Sequence, residues 1–141
     1  MNNDNIHADQ YNEMELLHLE SQQWTSDLHF IKDEIIFIGH LLDAYIFEPD
    51  TPNLFERLQD YRERLRKITD TTSRATAQIS VHDNFLGGML ECKDKIHDST
   101  YLQKHYQLKA EVTDLRMDFQ NFKSEIFNYA GGILRKRKPG Q

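Results

Sequence analysis

Leu17–Tyr45 reads LHLESQQWTSDLHFIKDEIIFIGHLLDAY, and this stretch decides the fold. Steps of four and three residues pick out Leu17, Ser21, Trp24, Leu28, Ile31, Ile35, Ile38, Leu42 and Tyr45, a seam whose single non-apolar member before Leu42 is Ser21. Such alternation keeps one stripe of a helix turned toward a partner helix, whereas a half-buried strand alternates at every second residue. Leu16, Phe30, Phe37 and Leu41 lie on a flank of the same stretch. They widen the apolar arc and predict contact with more than one neighbour.

Two further runs carry the same spacing. One is Leu54, Leu58, Tyr61, Leu65, Ile68, Thr72, Ala75, Ile79, His82, Leu86 and Met89; the other is Tyr101, His105, Leu108, Val112, Leu115, Phe119, Phe122, Ile126, Tyr129 and Ile133. Glu48-Pro49-Asp50-Thr51-Pro52-Asn53 cannot continue a helix, and Asn53 with Glu56 fits a capping box. Gly87-Gly88 weakens the end of the second run, and Asp98-Ser99-Thr100 offers caps for the third. Thr69–Thr72 is the poorest helical stretch, yet the seam keeps its phase through it. The spacing therefore predicts helices over residues 9–47, 53–91 and 99–134 in one domain spanning 1–141, with a flexible polar start and a basic tail at 135–141.

Short connections make consecutive helices antiparallel, so the first and third run parallel. The charges agree. Glu20, Asp27 and Glu34 occupy successive g positions, Lys109, Arg116 and Lys123 successive e positions, and setting Leu17 level with Tyr101 aligns all three pairs. The expected fold is all-α: an elongated three-helix antiparallel (up-down-up) bundle with coiled-coil-like heptad packing, on the order of 50 Å long at ~1.5 Å per residue. Composition points the same way. Two valines, six glycines and three prolines among 141 residues are too few for a β-sandwich or barrel. A single cysteine, Cys92, excludes an internal disulfide and a multi-cysteine zinc site. Three-helix repeats of the spectrin kind are similar in architecture and carry a tryptophan on the first helix, as Trp24 stands here; that resemblance implies fold alone.

No basic, apolar leader precedes Tyr11, and the longest uncharged apolar stretch, Ile35–Leu42, has eight residues where a membrane span needs ~20. A cytoplasmic protein without membrane contact is expected. Arg135-Lys136-Arg137-Lys138 read as a solvated cationic cap on the last helix. Without them 13 basic residues face 23 acidic ones, a charge that repels nucleic acid.

The register has a second consequence: Ser21 falls level with His105, and folding the second helix back brings His82 beside them. One polar side chain from each helix then points inward at one level. With His18 and Glu20 nearby, His82 and His105 form a candidate site for a transition metal such as zinc or iron, and Glu15-x-x-His18 has the i, i+3 spacing of carboxylate-bridged di-iron bundles. Those bundles use four helices and more inward carboxylates. The plainer reading is a hydrogen-bonded layer that fixes register. A third is a pH switch, with this end loosening below about pH 6.

Other signals carry less. His18, His29 and His40 recur every eleven residues, ~16 Å apart along a helix, too far to share one ion. Cys92, His97 and Asp94 lack partners at any catalytic spacing, and no phosphate loop or nucleophile elbow occurs. The expected role is a non-enzymatic interaction or scaffold module without a cofactor, binding a protein partner or a second copy as a homodimer, with Phe30, Phe37, Phe55, Phe85 and Leu90 as the contact flank. The alternative is a metal-binding bundle using His82, His105, His18 and Glu20.

Overall fold

A computed structural model describes the backbone of residues 3–44, 53–92 and 96–136, and the side chains of residues 13–44, 53–86 and 99–133. Three helices account for these residues: α1 (Asn3–Leu42), α2 (Leu54–Cys92) and α3 (Ile96–Lys136), packed as a three-helix bundle. None is long and apolar enough to cross a membrane among the described residues. Every seam residue with a described side chain is buried or half-buried. Fully burying one such Leu, Ile or Phe contributes ~1.5–3 kcal/mol, so the stripe drives the packing.

The helix ends differ from expectation. α1 starts at Asn3, where neither Pro nor Gly interrupts the polar start, and it stops at Leu42 instead of residue 47. There the Asp43 and Ala44 amides donate to the His40 and Leu41 carbonyls at 3.2 and 3.0 Å, an i to i−3 tightening typical of a last turn. Asn53 does not take the extended backbone a capping box requires; its φ is 56°, a left-handed value asparagine tolerates. The Arg57 amide still donates to its carbonyl at 3.1 Å. α2 runs on through Gly87-Gly88 to Cys92, and α3 begins at Ile96, which puts Asp98-Ser99-Thr100 inside its first turns. Thr69, Thr71 and Thr72 remain helical, and each hydroxyl donates to the carbonyl four residues back, at 2.7, 2.9 and 2.7 Å.

Contacts divide the chain into two units: Met1–His29 with Ser73–Thr113, and Phe30–Thr72 with Asp114–Gln141. In the first, Met14 and Leu17 pack against Leu86 and Tyr101, while further along α1 Glu20 reaches His105 and Lys109 and Ser21 reaches Asp83. As α1 advances, its neighbours advance along α3 and retreat along α2. The second unit shows the same order by itself. A Cβ at Gly39 would stand 3.9 Å from Leu65 and Asp43 pairs with Arg62 at 3.1 Å, while Glu34 pairs with Lys123 at 2.8 Å and Phe37 meets Phe127. The expected charge pairs Glu20–Lys109 and Glu34–Lys123 are formed, each within its own unit.

The flank of α1 is not buried as expected. Leu16, Phe30 and Phe37 are exposed and Leu41 alone is half-buried, because the two neighbouring helices cover the seam and leave that side open. Phe55 and Phe85 are exposed as well. Tyr45, the Glu48–Pro52 break, Asp94 and the tail from Arg137, like the side chains of Met89, Leu90, Cys92 and His97, lie outside the described residues.

Candidate functional site

Within the first unit the seam turns polar at Ser21, His82 and His105, all buried. His105, on α3 and 0% exposed, is the centre. Its Nε2 lies 2.7 Å from Glu20 Oε1 on α1, and its Nδ1 lies 3.1 Å from His82 Nε2 on α2. A carboxylate accepts only, so His105 Nε2 carries the hydrogen and Nδ1 is left as an acceptor. His82 must then donate from Nε2. Both bonds between the neutral imidazoles and the carboxylate point toward Glu20, and Lys109 adds a second donor, a cationic one, at 3.1 Å from the other Glu20 oxygen.

Rings hold the imidazoles in place. Trp24 lies against His105 with centroids 4.6 Å apart, and Tyr101, one turn before His105 on α3, stacks on His82 at 4.2 Å and 8°. The hydrogen bond from His105 holds the Glu20 carboxyl below its ordinary range, opposed by partial burial and assisted by Lys109. Burial pushes His82 down to about 4; the nearby His105 and Lys104 add to this and the Asp83 carboxylate opposes it. Tyr101 is pushed up to about 12 by burial and by the negative charges of Asp83 and Glu20. Its hydroxyl is buried with no hydrogen-bond partner among the described residues.

Ser21 does not join this row. Its hydroxyl stands between the His18 carbonyl, at 2.9 Å, and the Asp83 carboxylate, so it bonds to neither buried imidazole. His18 Nδ1 lies 3.6 Å from the same Asp83 oxygen, and its Nε2 is 3.2 Å from Gln22 Nε2. The expected single layer is thus two adjacent networks, Glu20–His105–His82 and Ser21–Asp83–His18. Of the four residues expected as metal ligands, Glu20, His82 and His105 come together in a row and His18 sits in the other network. Among the described residues no group of three or more His, Cys, Asp or Glu side chains is placed to hold a metal ion. Glu15, His29 and His40 are exposed and take no part.

The sequence places Tyr101 on the seam like any other core aromatic. Its signal was the spacing of four residues to His105, which stacks the two rings on one stripe of α3. Beside His82 and Tyr101, an apolar groove of about 430 Å³ runs between α2 and α3, with exposed Val81 and half-open Phe85 at its lip and Lys104 as its single charged lining residue.

Fold and site together define a three-helix bundle with two buried imidazoles in a row with a half-buried carboxylate. No protein-family model, curated protein or solved structure matches the chain.

Proposed function

We propose that the protein is a non-enzymatic interaction module that docks a helical partner, or a second copy of itself, against an exposed helical face. One observation carries this reading. Phe30 and Phe37, seven residues apart on one side of α1, are 63% and 59% exposed, and the Phe37 ring meets Phe127 of α3 edge-on at 6.4 Å. Three phenylalanines thus line one water-facing strip within the second unit. Each would contribute ~1.5–3 kcal/mol if a partner covered it. Contiguous exposed apolar surface of this kind marks contact sites on soluble domains.

Self-association is the first arm to test, by sedimentation equilibrium from micromolar to near-millimolar concentration. The reading expects reversible association that Phe30→Ser/Phe37→Ser weakens at least tenfold, with helicity by circular dichroism unchanged. A monomer at every concentration removes the second copy. Association unaltered by the double substitution removes the strip as the contact.

A further inference from the structure

Buried titratable groups that bond chiefly to one another respond to the number of protons they share, and the first unit holds such a row. We propose that Glu20–His105–His82 is a pH switch: the row takes up one proton with both of its bonds kept, and a second proton opens the first unit of the bundle.

The proton bookkeeping follows from the geometry. In the neutral row His82 Nε2 donates to His105 Nδ1, and His105 Nε2 donates to Glu20. An incoming proton lands on His82 Nδ1 while the Nε2 proton passes across 3.1 Å to His105 Nδ1. His105 is then an imidazolium donating to Glu20 on one side and to a neutral His82 on the other. The central bond has reversed, no bond is lost, and the new charge stands beside a carboxylate. A second proton has no such place. The Glu20 carboxyl is held ionised by its bond from His105, so the proton falls on His82 Nε2, and two N–H groups then face each other between two cations that are 3% and 0% exposed. Among the described residues, the charged and titratable groups around His82 are Glu20 and His18 from α1, Asp83 from α2, and Lys104, Lys109 and the neutral Tyr101 from α3. Asp83 is already engaged by the Ser21 hydroxyl, and Lys104 repels the added charge.

The sign is that of a depressed base. His82 is held to about 4 in the folded protein against 6.5 for a free imidazole, so the stability it contributes is intact above 6.5 and drains away as pH falls toward 4. In that window the opened state binds one more proton at His82 than the closed state. The opening constant of the first unit therefore rises about tenfold per pH unit, about 300-fold in all. This moves the expected loosening from a step below about pH 6 to a gradient that ends near 4. Among the described residues the second unit holds no comparable row: its one described histidine, His40, is exposed, and its buried Thr72 is closed onto the Ile68 carbonyl.

Two measurements on the whole chain test the switch. Hydrogen exchange from about pH 7 to pH 4.5, corrected for intrinsic rates, is expected to show protection falling about tenfold per unit around His82 and His105 but not around Phe122. His82→Leu is expected to abolish the gradient. Nitrogen-15 spectra of the wild type read the row directly: His82 passes from the Nε2–H to the neutral Nδ1–H tautomer as His105 gains its charge. Equal loss of protection in both units, a gradient that survives His82→Leu, or a His82 that becomes cationic near 6.5 would each overturn the proposal. The spectra decide the matter even if the variant fails to fold.

Discussion

The two units fill the same kind of seam in opposite ways. Around His105 the inward positions hold Ser21, His82 and His105, closed by hydrogen bonds to Glu20 and Asp83. Around Phe122 they hold Ile35, Ile38, Tyr61, Phe119 and Ile126, closed by ring edges and dispersion, with Tyr61 meeting Phe122 at 6.2 Å and 75°. A helical stripe is thus satisfied either by shape or by donor–acceptor matching. Shape loses stability in proportion to what is removed, because neighbouring side chains relax only partly into a gap. Donor–acceptor matching does not, because a buried group without its partner carries the full desolvation penalty. The polar unit should accordingly specify register more sharply and stabilise less.

The largest expected effect breaks the apolar side. Phe122→Ala removes a ring that is 1% exposed, its edge contact with Tyr61 and the Arg64 guanidinium lying 5.0 Å over it. A loss of about 3–5 kcal/mol is expected in urea denaturation at neutral pH. A loss under half of that would mean the second unit is loosely packed and the contrast between units is overstated.

Single and double substitutions in the row sharpen the contrast next. His105→Ala leaves the His82 Nε2 donor without its acceptor and Glu20 without its closest donor, and should cost about 2–4 kcal/mol. His82→Leu/His105→Leu removes both buried imidazoles at once, and Glu20, whose side chain is 34% exposed, turns to Lys109 and water. That double variant is expected within about 1 kcal/mol of the wild type at neutral pH, and above it in acid. Should it be as damaging as His105→Ala, the row stabilises the fold in its own right.

How much of this was legible depends on which atoms decide. The seam is a pattern of residue types, so the burial of Trp24, Ile38, Tyr61 and Phe122 followed from spacing alone. Register was legible as well, because Glu20 with Lys109 and Glu34 with Lys123 align at a single offset. The bonding inside the polar layer was not. Ser21 prefers Asp83, the residue just after a seam position, and His105 prefers Glu20, the residue just before one. Those choices rest on which way flanking carboxylates lean, a matter of rotamers that spacing does not encode. The ends of the helices failed for a related reason: Asn53 serves equally well as an extended cap or a left-handed residue, and local chemistry does not separate the two.

A smaller effect concerns the carboxylate that anchors the row. The His105 hydrogen bond holds the Glu20 carboxyl below its usual range, so its charge supports the fold above about 4.5 and that support fades as pH falls further. Glu20→Gln keeps the shape and an acceptor oxygen, and a third of the side chain meets solvent, which screens the lost charge. Less than about 1 kcal/mol is expected in urea denaturation at neutral pH. A larger loss would show that ionised Glu20, and not the imidazole pair, carries the row.

The smallest effects compare one position in both units. Lys109 reaches Glu20 at 3.1 Å and is half exposed, whereas Lys123 reaches Glu34 at 2.8 Å with both side chains about four-fifths buried. Replacing either lysine by methionine keeps the stem that packs along the helix and deletes the charge. Lys123→Met should cost about 0.5–1 kcal/mol and Lys109→Met less than about 0.5, since exposure weakens the pair and His105 still serves Glu20. Raising the salt concentration should shrink the Lys109 effect further and leave most of the Lys123 effect, because ions screen exposed charges well and half-buried ones poorly. If the order is reversed, Lys109 is integral to the polar row, and the line between a matched core and a packed core has been drawn one residue too short.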